Sequence, residues 1–288
     1  MGTGGSAGLI RSTEHSPGAY TVGRSGPSRM QDRVLSGDRS VLRFSPDGFK
    51  QGGRCARRAF VKRACVVGSS DGIGFATAQR LLRDGWAVTG VSRSESALQH
   101  PHYTHFRCDV TTPEYRVLLR RVSEPAPDAI IYCVGIGERL SLDALAREAH
   151  VFEVNLMAAL STTEIILPAL LAARRGHLVV LSSLADVLIS HEYPSYNASK
   201  AALSSYFAGL ASALRGTGVA ASHIRFGFVD TKLAKARFRP CMVTRERAAE
   251  VVVGTLSGGS RCISYPLGMA WLVAVLRIVQ NIGRLFSR

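Results

Sequence analysis

No two cysteines in this chain have the Cys-x-x-Cys spacing typical of zinc sites and redox motifs. The six cysteines are scattered along 288 residues, which argues against a disulfide framework and favours a reducing, cytoplasmic compartment. Three histidines lie close together, at His100, His102 and His105, but no acidic or cysteine side chain stands at ligand spacing from them. The sequence therefore predicts no metal site.

Acidic residues are also scarce. The chain has 21 Asp and Glu against 36 Lys and Arg, a formal net charge of +15. Residues 1–63 hold 12 of the basic and 4 of the acidic residues, so over half of the excess lies near the N-terminus. The charge suggests an anionic partner, but no module combining aromatic and basic residues follows, so we expect no nucleic acid to bind.

Residues 1–61 lack a sustained apolar period and any hydrophobic block long enough for a signal peptide. Their content of Gly, Ser and Arg predicts a disordered basic extension. A transit peptide is an alternative, weakened by the acidic residues Glu14, Asp32, Asp38 and Asp47. Another alternative is that the natural start lies at Met30 or near Val61.

A glycine-rich turn follows the first apolar run of the remaining chain. The run Ala64-Cys-Val-Val-Gly68 predicts a strand, and an amphipathic helix is predicted from Phe75 to about Arg83. Between strand and helix, glycines let the backbone approach a pyrophosphate, and the helix N-terminus offers free N–H groups. The candidate cofactor-binding residues of this turn are Gly68, Ser70, Asp71, Gly72, Ile73 and Gly74.

The end of the next predicted strand, residues 86–92, bears on cofactor choice. In a dinucleotide site an acid at this position holds the ribose 2′-hydroxyl, whereas an arginine accommodates a 2′-phosphate. Here Ser92 is followed by Arg93, with no acid. We therefore expect NADP(H) to be favoured over NAD(H), although Asp71 in the glycine turn argues mildly for NAD(H).

Strands and helices alternate along the rest of the chain. Further strands are predicted at 103–108, 129–135, 177–182 and 219–225, and helices at 113–122, 142–173 and 196–215. Apolar strands separated by helices form a parallel sheet covered on both faces. The predicted fold is α/β, a doubly wound Rossmann sheet that binds ligands at the carboxyl ends of its strands.

A hydroxyl, a phenol and an ammonium group follow the fifth predicted strand, at Ser183, Tyr196 and Lys200. Positions four residues apart share one face of a helix, so Lys200 is expected beside Tyr196. A neighbouring cation favours the phenolate and lowers the tyrosine pKa. This spacing predicts Tyr196 as a general acid/base.

Together these features resemble the short-chain dehydrogenase/reductase family over residues 62–266. The resemblance rests on Gly68, Gly72 and Gly74, on Asn155 in Glu-Val-Asn-Leu, and on Ser183 thirteen residues before Tyr196-x-x-x-Lys200. The segment from Ile224 to Thr231 is similar to the family's loop at the nicotinamide carboxamide. Two departures are Tyr132-Cys-Val-Gly135, where the family often has Asn-Asn-Ala-Gly, and Phe226-Gly227, where it has Pro-Gly.

The resemblance implies an oxidoreductase that interconverts a carbonyl and an alcohol. Tyr196 would exchange the proton, Ser183 would orient the substrate oxygen, Lys200 would hold the nicotinamide ribose, and Asn155 would hold a relay water. The resemblance also implies cofactor contacts at Asp109, Val110, Gly135, Val229 and Thr231, and assembly into a homodimer or homotetramer. A non-catalytic NADP(H)-binding regulator is the alternative. A sugar-nucleotide epimerase is disfavoured because only 88 residues follow Lys200.

The C-terminal segment, 267–288, predicts an amphipathic helix. Its apolar stretch from Leu267 to Leu276 is too short to span a bilayer. We expect the apolar face to dock on this subunit or on a second one, with peripheral contact to an anionic membrane as the alternative. The polar sector comprises Arg277, Gln280, Asn281, Arg284 and Arg288, and the apolar sector comprises Trp271, Leu272, Val275, Val279, Ile282 and Phe286.

Overall fold

A seven-stranded parallel sheet lies at the centre of the protein, in a computed structural model that describes residues 61–234 and 239–286. The predicted N-terminal extension lies outside the described residues, apart from Val61. The strands are β1 (Arg63–Val67), β2 (Ala87–Ser92), β3 (Tyr103–Arg107), β4 (Ala129–Tyr132), β5 (Gly176–Ser183), β6 (Val219–Phe226) and β7 (Cys262–Tyr265). The helices are α1 (Gly72–Arg83), α2 (Pro113–Val122), α3 (Ala146–Phe152), α4 (Ala158–Ala173), α5 (Pro194–Ala213), α6 (Arg245–Thr255) and α7 (Leu267–Phe286).

The strand order β3-β2-β1-β4-β5-β6-β7 confirms the doubly wound Rossmann fold. The chain runs outward from β1 to β3 and then crosses back to place β4 on the other side of β1. The carboxyl ends of β1 and β4 therefore border the crevice where such sheets bind ligands. Every residue of β4 is buried, as a strand covered by helices on both faces requires.

Two hydrophobic cores lie on the two faces of the sheet. One packs α2, α4 and α5 against the sheet, with Tyr115, Ile166 and Phe207 among its buried side chains. The other packs α1 and α6 and includes Leu81 and Val252. This three-layer arrangement holds the carboxyl ends of the strands, and the loops that follow them, in one plane.

The short strand β7 was not predicted. It pairs in parallel with β6 from His223↔Cys262 to Phe226↔Tyr265 and forms an edge of the sheet. Its four residues, Cys-Ile-Ser-Tyr, are too few for a clear alternation, so the prediction of six strands was wrong. The helix predicted over 142–173 is also interrupted, by a π-helical turn at Glu153–Met157 that separates α3 from α4.

One helical segment, Ala146–Ala173, is long and apolar enough by length and composition to cross a membrane. Core helices of soluble proteins pass the same test. In this segment Asn155, Ile166 and Leu170 are fully buried, and α4 packs on β5 and α2. We therefore interpret the segment as a core helix of the Rossmann fold.

The C-terminal amphipathic helix is present as α7, but its orientation differs from the docking prediction. Val273 is only 3% exposed, whereas Trp271, Leu272, Val275, Val279 and Ile282 are 41% to 74% exposed. The apolar face therefore does not dock on its own subunit, whereas docking on a second subunit and contact with an anionic membrane stay predictions. The packed side is instead the narrow strip of Met269, Val273 and Gln280, which lies against the cavity described below. The side chains of Phe286 and Arg288 lie outside the described residues.

Candidate active site

The predicted glycine turn joins β1 to α1 at the crevice. Gly68 and Gly72 have positive φ angles of 90° and 57°, which only glycine adopts without strain. A Cβ atom on Gly74 would lie 2.1 Å from the Gly68 carbonyl oxygen, so only glycine allows this close approach of helix and strand. Asp71 caps α1, its carboxylate accepting from the Gly72 N–H at 2.7 Å. The helix begins three residues earlier than predicted because this cap precedes Gly72.

The loop after β6 lies against the glycine turn. The cofactor contacts predicted for Val229 and Thr231 require this position. A Cβ on Gly72 would lie 3.2 Å from Cγ2 of Thr231. The next residue, Lys232, places its ammonium 2.5 Å from the Asp71 carboxylate. The hydrogen bond from Lys232 lowers the pKa of Asp71, which therefore stays ionised and paired.

The carboxyl ends of β2 and β3 bring together the residues predicted for the adenosine end. Arg93 is exposed directly after β2, and Asp109 follows β3, where its carboxylate accepts from the Thr111 N–H at 2.9 Å and the Thr111 hydroxyl at 2.7 Å. The sequence reasoning missed Arg107, whose Nε donates to the Arg93 carbonyl at 3.0 Å. Arg107 could not be placed from the sequence because its position depends on the strand register, which pairs Arg107 with Ser92.

Three of the four predicted catalytic side chains, Ser183, Tyr196 and Lys200, line one cavity of about 450 Å³, whereas Asn155 does not border it. Ser183 is the last residue of β5, while Tyr196 and Lys200 lie one turn apart near the start of α5. The Lys200 ammonium is buried, donates to the Leu181 carbonyl at 2.8 Å and lies 5.9 Å from the centre of the Tyr196 ring. Ile73, Gly135, Val229 and Thr231 border the same cavity, whereas the residues predicted for the adenosine end, Arg93, Asp109 and Val110, do not.

The pKa shifts in this cavity correct one prediction. Burial raises the pKa of Tyr196, and the hydrogen bond with Ser183 offsets this only in part. Lys200 is not among the groups that shift the pKa of Tyr196, and its own burial lowers the pKa of Lys200 to about 8. At neutral pH Tyr196 is therefore a protonated phenol, equipped to donate a proton.

Asn155 lies in the π-helical turn and anchors the loop that follows β4. Its Oδ1 accepts from the Ile136 N–H at 2.8 Å, and its Nδ2 donates to the Ile136 carbonyl at 2.9 Å and to Ser199 at 3.0 Å. A Cβ on Gly135 would lie 3.2 Å from the Lys200 ammonium nitrogen and 3.5 Å from the Asn155 oxygen. The loop is thus anchored without the asparagines that the related family often has there.

An ion pair behind the site was missed. Asp186 is almost fully buried, and its carboxylate accepts from Arg225 at 2.6 and 2.7 Å and from Ser204 at 2.6 Å. Ser204 in turn contacts Ser182 at 2.7 Å, next to the catalytic candidate Ser183. The Asp186 charge contributes to the raised pKa of Tyr196. No local pattern links residues 39 positions apart, so the sequence alone carried no signal for this pair.

The walls of the cavity beyond the catalytic residues are mainly apolar. They come from the segment between Ser183 and Tyr196, from the loop after β6 and from α7. From α7 the lining residues are Met269, Val273 and Gln280, none of which was predicted. No local pattern marked them, because an amphipathic pattern does not show which side of a helix packs on the domain.

A second opening, about 720 Å³, lies at the opposite edge of the sheet, beside Gly176 and Val219 at the amino ends of β5 and β6. None of the predicted site residues borders it. Because doubly wound sheets bind ligands at the carboxyl ends of their strands, we assign the site to the smaller cavity.

Comparison with known proteins agrees with this geometry. The family model described as short chain dehydrogenase matches residues 62–241. An oxidoreductase of Myxococcus xanthus is 28% identical over 236 residues, covering 76% of this chain and 93% of that protein. A short chain dehydrogenase from Burkholderia cenocepacia, solved in complex with NADP, superposes with a TM-score of 0.68 at 22% identity, covering 79% of this chain and 98% of that one. A short-chain dehydrogenase from Streptomyces avermitilis superposes with a TM-score of 0.69 at 20% identity, covering 79% and 96%.

Proposed function

Since the chain belongs to the short-chain dehydrogenase family, and is thus an NAD(P)-dependent dehydrogenase or reductase, we propose that it is an NADP(H)-preferring enzyme that interconverts a carbonyl and an alcohol. The observation that carries the proposal is the convergence of Ser183, Tyr196 and Lys200 on one cavity. A phenol, a hydroxyl and an ammonium in one apolar cavity are the groups that proton exchange with a carbonyl oxygen needs.

The residues of the crevice fit a dinucleotide. Side chains at Gly68 and Gly72 would strain the main chain, and one at Gly74 would push α1 away from β1, so the tight turn at the N-terminus of α1 depends on these glycines. Ser70, Ile73, Val229 and Thr231 would border the phosphates and nicotinamide, and Asp109 and Val110 the adenine. When bound, the nicotinamide supplies or accepts the hydride.

Three observations support a preference for NADP(H). Arg93 stands exposed at the end of β2, where an acid would be needed to hold a 2′-hydroxyl. Arg107 donates from its guanidinium to the Arg93 carbonyl, so a second basic side chain lies at this edge. Asp71, which was the one feature arguing for NAD(H), forms an ion pair with Lys232. The similar Burkholderia cenocepacia structure was solved with NADP, in agreement with this choice.

The roles proposed for the side chains follow from their surroundings. Tyr196, held protonated by burial, donates its proton to the substrate oxygen as the alcohol forms and takes it back in the reverse direction. Ser183, which lines the same cavity as Tyr196, orients that oxygen. Lys200 holds the nicotinamide ribose, and Asn155, which lies beside Lys200 and Gly135, supports a proton path through a water.

Assembly as a homodimer or homotetramer belongs to the same proposal. Members of the family typically pair through the long helices that flank the sheet. Leu171 on α4 and Tyr206 on α5 are 38% and 41% exposed. Met157, on the same helical layer, is also exposed. Burial of these side chains between copies would stabilise the pair.

Absorbance of NADPH and NADH, followed across ketones, aldehydes, 3-oxoacyl thioesters and quinones, tests the function. We expect turnover of at least one class, faster with NADPH, and a loss of roughly a hundredfold or more in Tyr196→Phe. Tyr206→Phe, on the exposed side of the same helix, is the matched control: it removes a phenol hydroxyl but keeps the apolar ring proposed to pack between copies, so it should retain full activity. Tight binding of NADPH without turnover in either direction would favour the non-catalytic regulator instead.

A further inference from the structure

The helix α7 presents its most apolar side away from the domain. The exposed fractions are 70% for Leu267, 74% for Trp271, 54% for Val275, 58% for Ile278 and 50% for Ile282. These residues recur every three or four positions, so they form one stripe along the helix. A continuous apolar patch of several hundred Å² on a soluble domain marks an interaction surface.

The opposite side of α7 is tied to the domain. Val273 is buried, Met269 borders the cavity, and Gln280 makes two hydrogen bonds with the main chain of Ile189. These contacts extend over three turns, so the helix lies flat on the domain. The apolar stripe therefore faces outward from Leu267 to Ile282, as in helices that lie in the plane of a membrane surface.

The charges of this region indicate which partner covers the stripe. Residues 251–288 contain four arginines and no Asp or Glu. Two copies of α7 packed stripe to stripe would bring two positively charged segments together, because residues 251–288 hold no carboxylate side chain. An anionic bilayer supplies both the apolar layer and the opposite charge, and Trp271 is the residue type that such interfaces favour.

We propose that α7 lies in the surface of an anionic lipid bilayer and that the cavity takes an apolar carbonyl or alcohol dissolved in that bilayer. The second part rests on the proposed function. The link between the two is α7 itself. The same helix that carries the stripe forms one wall of the cavity that contains Ser183 and Tyr196. The rest of that wall includes Leu188, Phe228 and Leu233, which favour a hydrocarbon chain over a polar substrate.

Binding to vesicles tests the membrane contact without reference to activity. The full chain is mixed with vesicles of phosphatidylcholine alone, or of equimolar phosphatidylcholine and phosphatidylglycerol, and sedimented. We expect binding to the anionic vesicles, and a partition coefficient lower by roughly tenfold or more for the double variant Trp271→Glu with Ile278→Glu.

The matched control changes the charge equally at two exposed valines outside α7. Val61→Glu with Val117→Glu should bind the anionic vesicles within about twofold of the unaltered protein, because these sites lie away from the stripe. Equal loss in both double variants would mean that net charge alone drives adsorption, and would overturn the proposal. The proposal would also be overturned if the unaltered chain did not bind the vesicles. It would be overturned as well if only the α7 double variant formed a smaller oligomer, because the stripe would then lie between copies of the chain.

Activity tests the substrate class separately. With NADPH, a long-chain ketone or aldehyde in the anionic vesicles is compared with its short, water-soluble homologue. We expect the α7 double variant to lose roughly tenfold in turnover of the vesicle-borne substrate and to retain turnover of the soluble one. Equal rates with both substrates in both proteins would overturn the substrate assignment. Failure of every carbonyl and alcohol, with stripe-dependent vesicle binding intact, would instead count against the proposed function.

Discussion

The side-chain amide of Gln280 pairs with the main chain of Ile189 as a neighbouring strand would. Its Oε1 accepts from the Ile189 N–H at 3.2 Å, and its Nε2 donates to the Ile189 carbonyl at 3.0 Å. The two residues are 91 positions apart, and the contact fixes α7 to the segment between Ser183 and Tyr196. The C-terminal helix thereby sets the position of one wall of the catalytic cavity.

Replacement of Gln280 by Glu tests this contact. A carboxylate can still accept from the Ile189 N–H, but it cannot donate to the Ile189 carbonyl and repels it. The segment between Ser183 and Tyr196 should therefore loosen. We expect KM for the carbonyl substrate to rise by roughly tenfold with kcat within about twofold. Asn281→Asp, an exposed neighbour with the same charge change, is the control and should leave both constants unchanged. A fall in kcat with unchanged KM would contradict a role in shaping the cavity wall.

The buried pair of Asp186 and Arg225 is expected to stabilise the fold. Asp186→Asn leaves Arg225 partly buried without its counter-charge and should lower the free energy of unfolding by about 3 kcal/mol. It should also lower the pKa of Tyr196, because the Asp186 charge contributes to raising it. Urea denaturation and the pH dependence of kcat measure the two effects.

A double-mutant cycle separates this pairing from simple packing. Arg225→Met in the Asp186→Asn background removes the stranded charge, so the double variant should be more stable than the sum of the single changes predicts. Additive losses within about 0.5 kcal/mol would show that the two residues do not interact.

Lys200 should make stability depend on pH. Burial lowers its pKa to about 8 from the ordinary 10.5, so the folded protein carries a cost of about 3 kcal/mol at neutral pH that disappears as the pH rises toward 10.5. Between these two values the unfolded chain binds more protons, and stability rises with pH. Relative to Lys200→Met, the unaltered protein should therefore gain stability between pH 7 and pH 10 in urea denaturation. Parallel pH profiles of the two proteins would contradict a buried ammonium.

Gly74 should tolerate no side chain. In Gly74→Ala the new Cβ would lie 2.1 Å from the Gly68 carbonyl oxygen, so β1 and α1 must separate. We expect a loss of about 2 kcal/mol in the free energy of unfolding and weaker NADPH binding, measured by calorimetry. Gly254→Ala in α6, where a Cβ meets nothing within 4 Å, should instead stabilise the protein by about 0.5–1 kcal/mol. Undiminished NADPH affinity in Gly74→Ala would argue against the glycine turn as the cofactor site.

Local patterns determined much of this protein from the sequence alone. The alternation of apolar runs and helices predicted the doubly wound sheet, because strand and helix periods are properties of neighbouring residues. The spacing of Tyr196 and Lys200 predicted that they lie one helical turn apart, and the glycines at 68, 72 and 74 predicted the tight turn, for the same reason.

Tertiary structure decided what depends on contacts between distant residues. The pKa of Tyr196 is raised rather than lowered because burial, which no local spacing encodes, outweighs the neighbouring groups. The pair of Asp186 and Arg225 arises where β6 passes beside the turn after β5. The outward orientation of the apolar side of α7 was likewise set by Val273 and Gln280, since an amphipathic pattern defines two faces of a helix but not which of them the fold covers.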